Sequence, residues 1–475
     1  MSEKKKLESI IRDLPPVDTS SVHDRCTAAV KKAHRKIVVL DDDPTGTQVV
    51  HDVPVYTEWG LDDIRQAFLE SDRMFFILTN SRGMSAAETV RVHQEIAARL
   101  LQVVRETQQD ILLISRSDST LRGHYPLETK VINDTWAAQG DSAFDGEIIV
   151  PFFSEGGRYT YENIHYVEQN GTLIPAAETE FARDRTFPYS KSNLCEWIGE
   201  KTEGASPAED VCVFSVNDLR TLPAATHEEK LMSVSGFRKI VVNAVSYTDL
   251  ELFIIPLMGA VLRGKKFLFR SAASLTKVLG LVSERDLLEH ETLTDGQNNN
   301  GGLIVVGSYV EKTTSQLMDL FNHVSVERMQ FDVESVSDER KRTDQQMRLV
   351  RQIDKCLENR RNVVLYTTRK QAGTSGNSGE ANLMFSVQVS KALSEVVRNL
   401  SARPRFLLAK GGITSSDIAT EGLSMKHAVV MGQILRGVPV WRAGAESKYP
   451  GLPYIVFPGN VGNERSLTEA YEKLV

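Results

Sequence analysis

Short apolar runs of strand type alternate along most of the chain with longer segments of helical character. The clearest run, Ile37–Leu40, leads directly into three carboxylates at Asp41, Asp42 and Asp43. Uninterrupted apolar runs of this length are typical of strands covered on both faces, as in a parallel sheet. Comparable runs recur at residues 53–56, 74–79, 111–115, 147–152, 211–215, 239–243, 266–270, 303–308, 362–367, 406–409 and 454–457. The alternation predicts an α/β fold with mainly parallel, doubly wound sheets.

The intervening segments carry helix signals, of which the stretch from Ser85 to Gln108 is the clearest. Ser85 is followed three residues later by Glu88, which is the spacing of a capping box. Residues 154–210 interrupt the alternation, because they are richer in aromatic and polar residues. We interpret this segment as a loop-rich excursion from the sheet.

The length of the chain and one polar stretch indicate two domains. At 475 residues the chain is too long for a single hydrophobic core. Residues 284–302 are polar and lack an apolar period, as expected of a linker. The predicted organisation is a polar N-terminal leader at 1–35, a first α/β domain at 36–285, a linker at 286–301 and a second α/β domain at 302–475.

Composition and charge exclude several classes of function. Hydrophobic residues make up 41% of the chain and charged residues 25%, as in ordinary globular proteins. The net charge of -7 gives no general attraction to nucleic acid or anionic membranes, so we predict neither as a partner. The four cysteines are scattered and fit reduced thiols, and the first 30 residues lack the apolar core of a signal peptide. We therefore expect a cytoplasmic protein.

Three predicted strands of the first half end in polar loops, at Asp41–Gln48, Asn80–Gly83 and Arg116–His124. The carboxyl ends of parallel strands meet at one edge of a sheet, where open α/β folds bind ligands. Arginine suits bidentate recognition of a carboxylate, and aspartate accepts hydrogen bonds from sugar hydroxyls. The loops therefore predict a site for a small polyhydroxy acid. The alternative is that Arg82 and Arg122 are ordinary ion-pair partners at the surface.

Glycines follow three predicted strands of the second half. They are Gly307, the pair Gly411–Gly412, and Gly459 with Gly462. Backbone amides near glycine at the start of a helix form a cradle for phosphate, and Lys410 could meet phosphate charge. Any one of these glycines could be a simple turn residue, but their repetition favours nucleotide binding.

The end of the first strand also suggests a different enzyme. Asp41-x-Asp43-x-Thr45 after an apolar strand resembles the nucleophile motif of haloacid-dehalogenase-type phosphatases, and Phe75–Asn80 resembles their second motif. A candidate for their magnesium motif, Gly140-Asp141-x-x-x-Asp145, comes before a strand and hence at the wrong edge of the sheet. This alternative leaves the second half of the chain without a role.

Taken in order, the motifs of both halves resemble those of the four-carbon acid-sugar kinase family. The family's strand followed by Asp-Asp-x-Thr-Gly matches Asp42–Gly46, and its Asp-Ser-Thr region matches Ser117–Thr120. The run Phe267–Ser274 resembles the end of the family's first domain. In the second half, the matching stretches are Gly307-Ser308, Gly411-Gly412-Ile413-Thr414 and Gly459-Asn460-Val461-Gly462. Pro44 departs from the family, which often has Phe there, and the loop at residues 116–124 is unusually basic.

The resemblance implies two α/β domains with mainly parallel sheets and an interdomain active-site cleft. Residues 36–285 would bind the acid sugar and residues 302–475 the nucleotide. The implied activity is ATP-dependent phosphorylation of a terminal hydroxyl of a four-carbon sugar acid, such as threonate, erythronate or an oxo-tetronate. The implied cofactors are ATP and Mg²⁺, with the magnesium ligands unidentified, and the partners are the sugar acid and ATP. A homodimer is left open.

The resemblance also implies roles for individual residues. Asp43 is expected to be the catalytic base and Asp42 to contact a hydroxyl or magnesium, although these roles could be exchanged. Arg82 and Arg122 are expected to pair with the carboxylate of the acid. The expected substrate-binding residues are Asp42, Arg82, Ser117, Asp118, Ser119 and Arg122. The expected nucleotide-binding residues are Ser308, Gly411, Gly412, Ile413, Thr414, Gly459, Asn460 and Gly462.

Two alternatives to the kinase stay open at the level of sequence. A magnesium-dependent phosphatase would use Asp41 as a covalent nucleophile and release phosphate from a sugar phosphate without ATP. A non-catalytic sensor would bind the same sugar or nucleotide without turnover. ATP consumption that depends on a sugar acid separates the kinase from both.

Overall fold

A computed structural model describes residues 6–70, 73–140, 143–293, 298–308, 310–368, 379–459 and 461–475. Asn460, Asp141 and part of the predicted linker lie outside these residues. The strands are β1 Lys36–Asp41, β2 Pro54–Tyr56, β3 Met74–Leu78, β4 Ile111–Arg116, β5 Gly146–Val150, β6 Arg158–Tyr161, β7 Ile164–Gln169, β8 Thr172–Pro175, β9 Cys212–Phe214, β10 Arg238–Val242, β11 Phe267–Ser271, β12 Leu303–Val306, β13 Glu327–Phe331, β14 Val363–Thr367, β15 Leu407–Lys410, β16 His427–Leu435, β17 Val438–Ala443 and β18 Pro453–Phe457. The α-helices are α1 Leu7–Asp13, α2 Thr19–Ala33, α3 Leu61–Glu70, α4 Ala86–Thr107, α5 Leu127–Ala138, α6 Leu194–Lys201, α7 Val216–Thr221, α8 Ala224–Met232, α9 Tyr247–Leu262, α10 Ala273–Leu279, α11 His290–Leu293, α12 Glu311–His323, α13 Glu339–Glu358, α14 Gly379–Asn399, α15 Gly412–Asp417 and α16 Ser466–Leu474.

The chain divides into two compact units. The first unit comprises Met1–Asp42 and Trp59–Ser283, and the second comprises Asp43–Glu58 and Glu284–Val475. The predicted first domain, 36–285, was a continuous stretch of chain. The units differ from that prediction because residues 43–58 belong to the second unit, so the division falls between Asp42 and Asp43.

The first unit contains a parallel sheet in the order β3-β1-β4-β11-β5-β10-β9. Every residue of β1, β3, β5 and β11 is buried, as expected of a parallel sheet covered on both faces. Helix α4 begins with the predicted capping box, in which the Ser85 side chain accepts from the Glu88 amide and the Glu88 side chain accepts from the Ser85 amide. The predicted α/β class with mainly parallel sheets is confirmed.

The predicted loop-rich excursion at 154–210 is instead partly a second, antiparallel sheet. Strands β6, β7 and β8 form it in that order, and α6 follows. The two hairpins turn at Glu162-Asn163 and Asn170-Gly171, where all four residues have positive φ. Two-residue turns of this conformation match the twist of paired strands, and Asn-Gly is their strongest signal in a sequence. The sequence therefore contained a signal that the interpretation as loops overlooked.

Within the predicted polar leader at 1–35, helices α1 and α2 belong to the first unit. Helix α2 packs on α9 and buries Val22, Cys26 and Val30. Asp18 caps α2 by accepting a hydrogen bond from the Ser21 amide. Helix α2 is thus part of the first unit's packing.

The second unit contains a mixed sheet in the order β13-β14-β12-β15-β18-β17-β16-β2. The first five strands are parallel, and β17, β16 and β2 continue the sheet in antiparallel fashion. The β16–β17 hairpin was not predicted. Across the described residues, no helix is both long and apolar enough to cross a membrane.

Residues 43–58 are held in the second unit by pairing and by buried hydrogen bonds. Strand β2 pairs with β16, so that Val55 lies opposite Ala428. The indole N–H of Trp441 donates to the hydroxyl of Thr47 over 2.9 Å, and both side chains are fully buried. A strand followed by a helix is the ordinary pattern of a parallel βαβ unit, so the local sequence did not reveal the more distant partner.

We expect Thr47→Val to destabilise the second unit, because it leaves the buried Trp441 N–H without its acceptor. Such a loss costs about 1–3 kcal/mol. Thr47→Ser keeps the hydroxyl and should remain close to wild type. Denaturant unfolding of the three proteins measures the difference, and equal stability of the Val and Ser variants would contradict this packing.

Candidate active site

The ends of β1, β3 and β4 bring polar residues to one edge of the first unit's sheet. Asp41, the last residue of β1, lies opposite Leu78 in β3 and Arg116 in β4. The next residues along these strands are Asp42, the Asn80–Gly83 turn and the loop that begins at Ser117. The sequence predicted that these loops meet, and the parallel register explains why they do.

Asp42 is a buried carboxylate held by arginine and serine. Arg82 donates to it twice, from Nε to Oδ2 over 3.1 Å and from Nη2 to Oδ1 over 2.6 Å, and the Ser117 hydroxyl donates over 2.5 Å. Burial opposes its ionisation, but the charge and hydrogen bonds of Arg82, with the charges of Arg116 and Arg270, outweigh burial and lower the pKa of Asp42. Asp42 is therefore held as an anion at the edge of the sheet.

Asp118 lies beside Arg82 and Arg122. Arg122 Nε donates to Asp118 Oδ2 over 2.8 Å, the Thr120 hydroxyl donates to the same oxygen, and Nη1 of Arg82 is 4.0 Å from Oδ1. Burial again opposes ionisation, but the charges of Arg122 and Arg82 hold the pKa of Asp118 well below its usual range. Arg122 also reaches Asp184, with 3.4 Å between Nη1 and Oδ2.

These ion pairs change the expected roles of Arg82 and Arg122. Both were expected to pair with a substrate carboxylate, but Arg82 makes two hydrogen bonds to Asp42 and Arg122 contacts Asp118 and Asp184. Their side chains are 19% and 21% exposed, so they line the rim of the cluster. Arg82 and Arg122 therefore do form ion pairs, as the alternative interpretation expected. These ion pairs lie at the edge of the sheet beside Asp42 and not on a solvent-exposed face.

Gly123 is a position where the site excludes a side chain. A methyl group there would lie 2.7 Å from the Ser117 hydroxyl and 3.2 Å from Asp42 Oδ2, and the φ angle is +115°. Both the close approach and the backbone conformation favour glycine. The loop after β4 therefore comes directly against the carboxylate at the end of β1.

Asp41 is held in a buried ion pair. Its side chain is 2% exposed, like that of Asp42, and Arg116 Nη1 donates to it over 3.1 Å. This ion pair fixes the carboxylate at the end of β1.

His165 fixes the loop that carries Ser119. The fully buried imidazole contacts the Ser119 carbonyl through Nε2 over 2.7 Å and the Thr160 hydroxyl through Nδ1 over 3.0 Å. Burial lowers the pKa of His165 to about 4, so the ring is neutral near pH 7. A neutral ring satisfies both contacts if Nε2–H donates to the carbonyl and Nδ1 accepts from the hydroxyl. His165 lies in β7, within the segment interpreted as loops, and was missed for that reason.

In the second unit, the loops after β12, β15 and β18 pack against one another. A methyl group at Gly307 would lie 2.1 Å from the Thr414 hydroxyl, and one at Gly411 would lie 3.1 Å from Ser308 Cβ. Gly459 is close to the same serine, and Thr313 of α12 hydrogen-bonds both the Ser308 hydroxyl and the Gly459 carbonyl. The structure therefore brings together Ser308, Gly411, Thr414 and Gly459, which the sequence predicted as nucleotide-binding residues.

The remaining expected nucleotide-binding residues have different surroundings. Ile413 is partly exposed in the first turn of α15, directly after Gly412. Gly462 has a φ of +86° and lies against Ser466 at the start of α16. The side-chain amide of Gln316 donates hydrogen bonds to the adjoining carbonyls of Val461 and Asn463.

Asp43 lies against the glycine loop of β15. Its Oδ1 accepts from the Thr45 amide over 2.7 Å, and a methyl group at Gly412 would lie 2.1 Å from its Oδ2. Glycine at position 412 is thus what allows the carboxylate to approach the backbone. This contact lies within the second unit, to which both residues belong.

Lys410 has a structural role instead of the expected contact with phosphate. Its amine donates to the Pro458 carbonyl over 2.9 Å and lies 4.0 Å from the centre of the Phe457 ring. The side chain is fully buried, and burial, followed by the charge of Lys312, lowers its pKa far below the usual value. Lys410 therefore anchors the turn that precedes Gly459.

Two residues of the sheet edge were missed by the sequence interpretation. Arg270 of β11 donates to Glu128 over 2.8 Å and to the Arg122 carbonyl over 3.3 Å, and so supports the loop after β4. Arg270 lies within the stretch 267–274 that carried the resemblance, but its partner was not evident. Arg158, in β6, faces the same group of residues from the small antiparallel sheet.

Two family models match the chain. A sugar-binding N-terminal domain matches residues 37–279, and a nucleotide-binding C-terminal domain matches residues 303–467. A protein of Haemophilus influenzae is similar in structure, with 17% identity and a TM-score of 0.56 over 92% of this chain and 100% of that chain. A protein of Salmonella typhimurium LT2, provisionally named a tRNA synthase, has 19% identity and a TM-score of 0.60 over 93% and 100%. No match is found among the curated proteins.

The two matches define a kinase-like protein with a sugar-binding domain followed by a nucleotide-binding domain. The solved structures add the fold alone, because their identities are low. The chain belongs to the four-carbon acid-sugar kinase family.

We expect Gly412→Ala to lower the melting temperature by a few degrees, because the new methyl group overlaps Asp43 Oδ2. Asp43→Ala should relieve this strain, so the double variant should be more stable than the sum of the two single changes predicts. Gly459→Ala is the matched control, since the nearest atom would be 3.4 Å away. Additive effects of the two substitutions in thermal unfolding would contradict the contact.

The neutral state of His165 predicts a specific dependence of stability on pH. Between pH 6.5 and about 4 the unfolded chain binds a proton at this residue and the folded chain does not. The free energy of unfolding should therefore fall as the pH decreases through this window, by on the order of 3 kcal/mol from this group. His165→Gln should remove that part of the slope, whereas His34→Gln, at an exposed residue, should keep it. Equal slopes for wild type and His165→Gln would contradict the assignment.

Proposed function

We propose that the protein is an ATP-dependent kinase that phosphorylates a terminal hydroxyl of a small sugar acid of the threonate, erythronate or oxo-tetronate class. The observation that carries this proposal is the contact of Asp43 with Gly412. It joins the candidate base to a glycine loop of the nucleotide-binding domain. Asp42 of the sugar-binding domain is its neighbour along the chain.

The sugar-binding domain supplies fixed charges for a polyhydroxy acid. Asp42 is ionised and oriented by Arg82 and Ser117, which leaves it suited to accept a hydrogen bond from a substrate hydroxyl. Asp118, oriented by Arg122, offers a second carboxylate at the same sheet edge. Positioned carboxylates and guanidiniums fix both the register and the orientation of a small polar substrate.

The nucleotide-binding domain supplies the loops expected to hold ATP. Backbone amides near Gly411 and Gly412, with the hydroxyls of Ser308 and Thr414, would contact the phosphates. Magnesium usually binds nucleotide phosphates, water and one or two carboxylates, so a cage built from protein alone is not required. Across the described residues, no group of three His, Cys, Asp or Glu side chains is arranged to hold a metal. Bound MgATP would supply the phosphoryl group and partly neutralise its charge.

Asp43 is proposed as the base and Asp42 as the orienting residue. Asp43 would accept the proton of the substrate hydroxyl as its oxygen bonds to the γ-phosphorus and the bond from that phosphorus to the bridging oxygen of ADP breaks. Asp42 is less suited to take the proton, because Arg82 and Ser117 already stabilise its charge. The orienting carboxylate and the base are thus consecutive residues of the chain.

Asp43→Asn tests this assignment, because the amide keeps an acceptor for the Thr45 N–H but cannot take a proton at neutral pH. We expect kcat for acid-dependent ADP formation to fall by roughly 10²–10⁴. Asp52→Asn is the matched control: this carboxylate lies on the same segment, is 64% exposed and pairs with Arg285.

Turnover is measured by coupled detection of ADP over four- and five-carbon sugar acids. Wild-type turnover in the Asp43→Asn variant would show the base assignment to be wrong. Hydrolysis of sugar phosphates without ATP would favour the phosphatase, and binding without either reaction would favour the sensor.

A further inference from the structure

Arg158 is a buried arginine whose side chain is only partly satisfied. It begins β6 and is 9% exposed. Its Nη1 donates to the Gly156 carbonyl, but its Nε has no hydrogen-bond acceptor within the described part of the chain. The backbone of Arg158 exchanges two hydrogen bonds of 2.9 and 3.0 Å with that of Phe153. Buried donors in proteins nearly always have an acceptor, so the unsatisfied Nε of Arg158 is unusual.

The charge of Arg158 is also uncompensated at short range. The other guanidiniums at this sheet edge have carboxylate partners: Arg82 with Asp42, Arg116 with Asp41, Arg122 with Asp118 and Asp184, and Arg270 with Glu128. Among the residues that the structure describes, no carboxylate lies within ion-pair distance of Arg158. A buried charge without a partner is costly, and a bound anion would offset that cost.

A second guanidinium faces the same aromatic ring. Arg122 lies 5.2 Å and Arg158 5.8 Å from the centre of the Phe181 ring. Burial lowers the pKa of Arg158, with Asp118 opposing and Arg122 adding to this effect. Arg122 is already paired with Asp118 and Asp184, so a bound anion would chiefly offset the charge of Arg158.

We propose that Arg158 is the principal contact for the carboxylate of the substrate, with Arg122 as its neighbour. This inference rests on the proposed function and names a residue of its sugar-binding site. Arg82, expected from the sequence for this role, makes two hydrogen bonds to Asp42 instead. Arginine presents a planar set of donors that matches a carboxylate.

The ligand class follows from the same geometry. The hydroxyls of the substrate would face Asp42 and Asp118, and its carboxylate would face Arg158. An uncharged polyol would meet the first set of contacts without the second. Arg158 therefore selects sugar acids over sugar alcohols of the same length.

The test compares substrate charge with side-chain charge. Steady-state kinetics and calorimetric titration are run for wild type, Arg158→Gln, Arg158→Lys and the exposed control Arg185→Gln, each with threonate or erythronate and with the matching four-carbon polyol. For the acid, Arg158→Gln should raise KM and Kd by roughly 30-fold or more, while KM for ATP and kcat change little. Arg158→Lys should lie between Arg158→Gln and wild type, and Arg185→Gln should match wild type.

The polyol distinguishes recognition of the carboxylate from a structural role. Its binding should be weak and equal in wild type and Arg158→Gln, whereas a structural defect would weaken acid and polyol alike. If wild type acts on the acid and Arg158→Gln keeps its KM, or if both ligands lose affinity equally, the inference about Arg158 is wrong and the kinase proposal stands. If wild type neither binds nor phosphorylates any sugar acid, both fail. Should Arg158→Gln not fold, the same comparison is made with Arg158→Lys, which keeps the charge but loses the planar donors.

Discussion

The buried carboxylate of Asp42 is the constraint on which the sugar-binding domain depends. An ion removed from water at the end of a strand is tolerated only when charged and hydrogen-bonding groups surround it. Arg82 supplies two hydrogen bonds and Ser117 a third, so the loops after β3 and β4 must both close on β1. The parallel register of these strands makes that closure possible. The arrangement thus couples the fold of the sheet edge to the chemistry available there.

The nucleotide-binding domain depends on close backbone packing and not on buried ion pairs of this kind. Close packing of the β12, β15 and β18 loops requires glycine where side chains would collide, as at Gly307 and Gly412. The same requirement lets the Asp43 carboxylate approach the start of α15. Asp42 and Asp43 look alike in the sequence, yet one is committed to arginine and serine and the other to a glycine loop. Their environments, not their residue type, separate the proposed roles.

Much of the fold followed from local pattern. Buried strands such as β1 and β12 were predicted because each contains four consecutive apolar residues, and the Ser85–Glu88 capping box is a purely local signal. The placement of residues 43–58 was not predictable in this way, since β2 pairs with β16 far along the chain. The antiparallel sheet was missed although Asn170-Gly171 marks one of its turns. In the site, the residue types at the strand ends were predicted, but which arginine pairs with which carboxylate depends on long-range contacts.

The most direct measurement of the central claim is phosphorus NMR of the protein with MgATP and a panel of four-carbon sugar acids. The account predicts an acid-dependent loss of ATP signals, the appearance of ADP and a new phosphomonoester signal coupled to the protons of a terminal carbon of the sugar acid. Release of inorganic phosphate without a phosphomonoester, or unchanged ATP with every acid of the class, would contradict it.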